Sequence, residues 1–186
     1  MRKDIKGVVA AEPSNVMWQG ISNGLSGLFF RKSSWTLNGK ELPYLKHNTF
    51  SVVKQYASGK TQIEFLKMHE AIFTEDYSEI EPAIIKVEKI NGPVLLIAGK
   101  DSKMWPSYYM CEEIRKRLDS LNFEHPVEYL YYDNVGHKIP SPELEPTIDY
   151  KYHQLAVGGT DSENAAAQID SWNRMIKFLE IYFPVE

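Results

Sequence analysis

The feature that most constrains this chain is Val94-Leu-Leu-Ile-Ala-Gly99, an unbroken apolar run of strand length, set off by Asn91-Gly92-Pro93 before it and Lys100-Asp101 after it. A strand with one wet face alternates apolar and polar residues. A run without alternation belongs to a strand covered on both faces, as in a parallel sheet between helices. The residues C-terminal to the run agree with that reading. Trp105-Pro106-Ser107 puts proline in the first turn of a helix, where its missing N–H costs nothing. Cys111, Ile114, Leu118 and Leu121 then recur at spacings of three and four, the mark of a buried helical side. After Pro126, Val127-Glu-Tyr-Leu-Tyr-Tyr132 is β-prone and closes on the turn cluster Asp133-Asn134-Val135-Gly136. Strand, helix and strand are thus written across residues 94–132.

The flanking regions extend the pattern. Gly7-Val-Val-Ala-Ala11, closed by Glu12 and Pro13, reads as a short buried strand. Residues 14–60 are rich in Gly, Ser, Asn, Pro and aromatics without a sustained period. They are expected to be a long loop or lid-like excursion with extended pieces near Val16 to Trp18. Thr61 and Glu64 form a capping-box signature, and Ile63, Leu66 and Phe73 predict a helix over 61–74. A second such signature, Thr160 with Glu163, opens the last helix, where Ala165, Ile169, Trp172, Ile176, Leu179 and Phe183 keep the three-four spacing. Strands alternating with helices predict an α/β fold, mainly parallel sheet flanked by helices, in a single domain over 1–186.

Composition excludes several functions. At 43% hydrophobic and 25% charged residues, with a net charge of -4 and no basic stripe, the chain lacks the electrostatic footprint of a nucleic-acid binder. The apolar run near the N-terminus is too short for a signal peptide or a membrane span. The one cysteine, Cys111, sits on the buried side of its helix and reads as core packing, which suits a reducing cytoplasm. The five histidines show no HExxH or similar spacing, so neither a metal nor another cofactor is expected.

In an open parallel sheet, ligands gather beyond the carboxyl ends of the strands. Asp101 follows the strand ending at Gly99, and His137 follows the strand ending near Tyr132. Asp then His is the order in which an α/β-hydrolase presents the last two members of its triad. A histidine that takes a proton from a nucleophile needs one nitrogen facing it and the other held by a carboxylate, which fixes the tautomer. The alternative is that Asp101 caps the following helix and His137 is an ordinary loop histidine.

Gly92-Pro-Val-Leu-Leu-Ile-Ala-Gly-Lys-Asp-Ser-Lys-Met-Trp-Pro-Ser107, Asn134-Val-Gly-His137, Gly158-Gly159, Asn164-Ala165 and Asp170-Ser-Trp172 together resemble the C-terminal domain of acyl-CoA thioesterases and bile-acid-CoA:amino-acid acyltransferases. Val16-Met-Trp-Gln-Gly-Ile-Ser22, Arg31-Lys-Ser-Ser-Trp35 and Gly39-Lys-Glu-Leu-Pro43 resemble the segment after the nucleophile helix in such proteins. The resemblance runs over nearly the whole chain. It implies a partial α/β-hydrolase fold, a long-chain acyl-CoA substrate, and a Ser or Cys nucleophile that forms an acyl-enzyme. It also implies His137 as base and Asp101 as its orienter. Two departures accompany it. The family's acid stands three residues before the tryptophan, in a Gly-x-x-Asp pattern, where this chain has Ser102; Asp101 is one residue early. Relative to the family, residue 1 falls after the nucleophile elbow, so the nucleophile is expected to be missing.

Gly20-Ile-Ser-Asn-Gly24 matches Gly-x-Ser-x-Gly and offers Ser22. An elbow, however, needs a strand running into it and a helix leaving it. Leu25-Ser-Gly-Leu-Phe-Phe30 runs straight into Arg31-Lys-Ser-Ser, so the pentapeptide reads as a loop. Trp18, Trp35 and Trp105 are candidates to line an acyl pocket, and Lys100, Lys103 and Arg31 to meet CoA phosphates, against core packing and solvated charge as the plainer roles.

The leading expectation is therefore a thioester hydrolase or acyltransferase domain acting on acyl-CoA or a related ester in fatty acid metabolism. The alternatives are an inactive, self-associating fragment and a general carboxylesterase or peptidase of the same fold. A sheet cut short at Gly7 to Ala11 exposes an unpaired edge, which predicts a homo-oligomer, in the simplest case a two-fold dimer.

Overall fold

The computed structural model describes residues 5–21, 31–137, 139 and 155–184. Its centre is a three-stranded parallel sheet, ordered β1 (Val8–Ala11), β4 (Val94–Gly99), β5 (Val127–Tyr132). Val94 pairs with Val8 on one side and Val127 on the other, and Ile97 with Ala11 and Leu130. Every residue of β4 is buried, as the unalternating run requires. Val94, Leu96 and Ala98 pack on Cys111, Ile114 and Leu118 of α4 (Ser107–Ser120). Leu95 and Ile97 face the other way, onto Leu130 and onto Phe178 of α5 (Asp161–Tyr182). Burying each such side chain contributes about 1.5–3 kcal/mol, so β4 anchors both layers.

The last helix forms where its capping signature lies, with the Thr160 hydroxyl accepting from the Glu163 N–H at 3.3 Å. The stripe it turns inward differs from the expected one. Asn164, Ala167, Gln168, Ser171 and Phe178 are buried, whereas Ile169, Trp172, Ile176 and Leu179 are 59%, 38%, 38% and 40% exposed. The inner stripe is polar and small in the first turns of α5, where Asn164 approaches backbone loops, and becomes apolar only farther along, at Phe178.

The 14–60 stretch carries more structure than its composition suggests. It holds the small hairpin β2 (Thr36–Leu37) and β3 (Lys40–Glu41), and then α1 (Thr49–Ala57). The helix expected over 61–74 is instead a 3-10 turn, Leu66–His69, followed by α2 (Ala71–Thr74). The reason is tertiary. Gln55 of α1 accepts from the Glu64 N–H at 2.9 Å and donates to the Glu64 carbonyl at 2.8 Å. Ile63 forms a parallel bridge with Leu155. Those bonds occupy the backbone groups a helix start would need. After α3 (Tyr77–Ile80) the chain returns to β4. Among the described residues no helix is long and apolar enough to cross a membrane.

Candidate active site

Three loops leave the carboxyl ends of β1, β4 and β5, and the backbones of the last two lock onto each other and onto the turn before α5. Asp101 donates its N–H to the Val135 carbonyl at 2.9 Å, and His137 and Lys103 donate to the Val157 carbonyl at 2.8 and 3.2 Å. The packing leaves no room for side chains: a Cβ on Gly99 would lie 2.4 Å from the Val135 carbonyl oxygen. Gly158, at φ +83, would bring one to 1.8 Å from the Asp101 carbonyl oxygen. Asn164, buried on the first turn of α5, accepts from the Gly136 N–H at 2.8 Å and donates to the Gly158 carbonyl at 3.1 Å. The backbone that carries His137 is therefore fixed from two sides.

The imidazole of His137 sits against Trp105, ring centroids 4.5 Å apart and nearly perpendicular. Its Nδ1 lies 3.2 Å from Ser102 Oγ and 3.3 Å from Glu12 Oε2. Glu12 is 5% exposed and follows directly on β1. Its Oε1 accepts from the Gly99 N–H at 2.7 Å, its Oε2 accepts from the Ser107 hydroxyl, and its carbonyl accepts from Trp105 Nε1 at 3.1 Å. The residue adopts φ +48, in the left-handed region, at a cost of about 1–3 kcal/mol for a non-glycine residue.

Asp101 points elsewhere. Its Oδ2 accepts from the Gly159 N–H at 2.9 Å and its Oδ1 meets Lys103 Nζ at 2.8 Å, and these bonds hold its carboxyl below the usual carboxylate range. Among the described residues, no hydrogen bond or ion pair links Asp101 to His137. The structure brings His137 together with Ser102 and Glu12, and it makes Asp101 the clasp of the 157–159 turn. Ser22 lies outside the described residues.

Behind Trp105 lie two further imidazoles. His69 is 5.8 Å from the Trp105 ring, 4.9 Å from His47 and 4.7 Å from Trp18. Burial pulls His69 down to about 4, and burial with the neighbouring His69 pulls His47 down to about 3, so both are neutral at pH 7. Cys111 is fully buried and its thiol is pushed up by burial, which makes it core and not a nucleophile. Trp18 is core, Trp35 is exposed at 66%, and Lys100 pairs with Asp133 at 2.8 Å. Among the described residues no cluster of His, Cys, Asp and Glu is arranged to hold a metal ion.

Residues 8–183 match the family model described as BAAT / Acyl-CoA thioester hydrolase C terminal. The chain belongs to this family. Among its relatives is the mouse (Mus musculus) peroxisomal succinyl-coenzyme A thioesterase, 34% identical over 101 residues, 52% of this chain and 24% of the relative. Mouse acyl-coenzyme A thioesterase 6 is 30% identical over 104 residues, covering 54% and 25% respectively. Mouse acyl-coenzyme A thioesterase 2, mitochondrial, is 31% identical over 101 residues, covering 52% and 22%. The chain thus matches about a quarter of the length of these curated relatives.

Within this BAAT and thioester hydrolase C-terminal chain, Glu12 is the residue that sequence reasoning missed. It looks like a strand terminator before proline. The available signal was its place: a carboxylate directly after an apolar strand run stands at the sheet edge where ligands collect.

Proposed function

We propose that this chain supplies the base-carrying part of an acyl-CoA thioester hydrolase site, built on a partial α/β-hydrolase sheet. The observation that carries the reading is the fixed imidazole of His137 at the carboxyl edge of a parallel sheet, with polar partners on Nδ1. With Nδ1 so engaged, Nε2 is the nitrogen left to take a proton from a nucleophile. In the proposed cycle a Ser or Cys of the whole enzyme gives its proton to Nε2 as it attacks the thioester carbonyl carbon. The C–S bond then breaks, the leaving CoA sulfur takes the proton from His137, and an acyl-enzyme remains. Water or an amine, deprotonated by the same imidazole, attacks the acyl carbon, and as the acyl–enzyme bond breaks His137 returns the proton to the Ser or Cys. Asp101 assists by holding the turn against which His137 is hydrogen-bonded.

Acyl-CoA as substrate is supported by the names of the relatives, which are thioesterases of succinyl- and acyl-coenzyme A. A cytoplasmic setting is supported by the single, buried cysteine, although two of these relatives carry peroxisomal and mitochondrial names. Self-association belongs to the same proposal. It is supported by the position of β1 at the edge of its sheet among the described residues, and by the exposed apolar stripe of α5.

The test is release of free thiol from acyl-CoA. A polypeptide in which residues 8–183 replace the corresponding segment of the mouse succinyl-CoA thioesterase is expected to turn over, and His137→Ala to slow it about 10²–10⁴-fold. Turnover indifferent to His137→Ala contradicts the reading. Turnover by the chain alone that disappears in Ser22→Ala would make Ser22 the nucleophile.

A further inference from the structure

We propose that Glu12, not a residue of the loop after β4, is the carboxylate that positions His137. The inference rests on the reading of His137 as base and adds to it the group that sets its tautomer.

The arrangement is costly to hold. Glu12 is buried, and its backbone stands at φ +48, a conformation that glycine or asparagine adopts with less strain. A buried carboxylate without partners is strongly unfavourable, so the donors around it decide whether it can stay charged. Two donors are committed: the Gly99 N–H to Oε1, and the Ser107 hydroxyl to Oε2. Ser107 is the first residue of α4, a 14-residue helix whose N-terminal end favours an anion. Among the described residues, the remaining polar neighbour of Oε2 is His137 Nδ1 at 3.3 Å. An N–H at Nδ1 meets a negative charge there, whereas a bare Nδ1 would set its lone pair against a carboxylate oxygen. The Nδ1–H tautomer is therefore favoured, and it leaves Nε2 as the proton acceptor that base catalysis needs.

The loop after β4 does not supply this charge. Asp101 is spent on Gly159 and Lys103, and Ser102, although its Oγ lies 3.2 Å from Nδ1, is neutral. Glu12 reaches the imidazole from the neighbouring strand β1 instead, and Trp105 fixes both partners by donating to the Glu12 carbonyl while packing on the His137 ring. Glu12 is thus a positioning residue: it acts on the substrate only through His137.

The amide variant makes the idea testable. In Glu12→Gln the Gly99 N–H still requires an oxygen at the Oε1 position, so the NH2 group takes the place of Oε2. A donor then faces Nδ1, which must become an acceptor, and the proton moves to Nε2. The experiment is nitrogen NMR of the imidazoles in the whole 186-residue chain at neutral pH, with His137 assigned by its loss in His137→Gln. The expected pattern is Nδ1–H in the parent and Nε2–H in Glu12→Gln. Glu12→Gln with Ser102→Asp is expected to return to Nδ1–H, because a carboxylate at 102 reaches the same nitrogen. Ser102→Ala alone is expected to keep Nδ1–H. This variant leaves the buried carboxylate in place, so it decides the question even if Glu12→Gln does not fold. Loss of Nδ1–H in Ser102→Ala, or an unchanged ring in folded Glu12→Gln, overturns the proposal and leaves Glu12 a structural brace. None of these readings depends on thioester turnover, so failure of the thioesterase reading would be seen separately.

Discussion

The side-chain amide of Asn164 bridges Gly136 and Gly158, accepting from one backbone at 2.8 Å and donating to the other at 3.1 Å. One residue of the last helix thereby joins the loop that carries His137 to the turn that Asp101 clasps. Asn164→Ala should leave a buried donor and a part-buried acceptor unpaired, costing about 2–4 kcal/mol. Asn164→Asp should restore only the first bond and recover part of the loss. Urea unfolding of the three proteins measures both, and equal stability of parent and Asn164→Ala would show that the bridge holds nothing.

Asp101 and Lys103 form a partly exposed pair, with side chains 44% and 36% accessible, so the ion pair itself contributes at most about 1 kcal/mol. The Gly159 N–H adds a further hydrogen bond. Asp101→Ala should therefore destabilise by about 1–2 kcal/mol while leaving the His137 tautomer as it was. A change of tautomer in Asp101→Ala would return Asp101 to the role of orienter.

The buried imidazoles make the fold sensitive to mild acid. His69 and His47 are held near 4 and 3, below the unfolded value of 6.5, so the unfolded chain binds more protons between those limits. Their contribution is complete above pH 6.5 and is lost as pH falls toward 4. The slope reaches roughly 1.4 kcal/mol per pH unit for each imidazole. The urea midpoint should drop between pH 7 and pH 5, and His47→Phe should flatten that drop. A midpoint constant over the interval contradicts the neutral buried assignment.

The outward stripe of α5 and the edge of β1 bear on association. Sedimentation equilibrium at micromolar concentration should give a mass above the 21.4 kDa of one chain, and Trp172→Glu should lower it. A stable monomer of 21.4 kDa contradicts the proposed self-association.

The elements legible in the sequence are those whose signal is local. The uninterrupted apolar run of β4, the three-four spacing of α4 and the Thr160 cap of α5 each carry their own reason for forming. The elements that were not legible depend on distant partners. Glu64 follows Thr61 in a pattern that caps helices, yet Gln55 captures both of its backbone groups. The inner stripe of α5 is set by Asn164 reaching the Gly136 and Gly158 loops, which spacing alone does not reveal. In the candidate site His137 was visible from its place after a strand. Glu12 was not, because Gly99, Ser107 and His137 meet it only once the sheet has formed.

The proposed role of His137 as the base of an acyl-transfer site is tested by intact-mass analysis in the first turnovers. The polypeptide that places residues 8–183 in the mouse succinyl-CoA thioesterase would be mixed with acyl-CoA and quenched during those turnovers. The expected result is an added acyl mass, a burst of free thiol equal to the enzyme present, and loss of both in His137→Ala. Thiol release with no covalent adduct, or an adduct forming equally fast in His137→Ala, would contradict it.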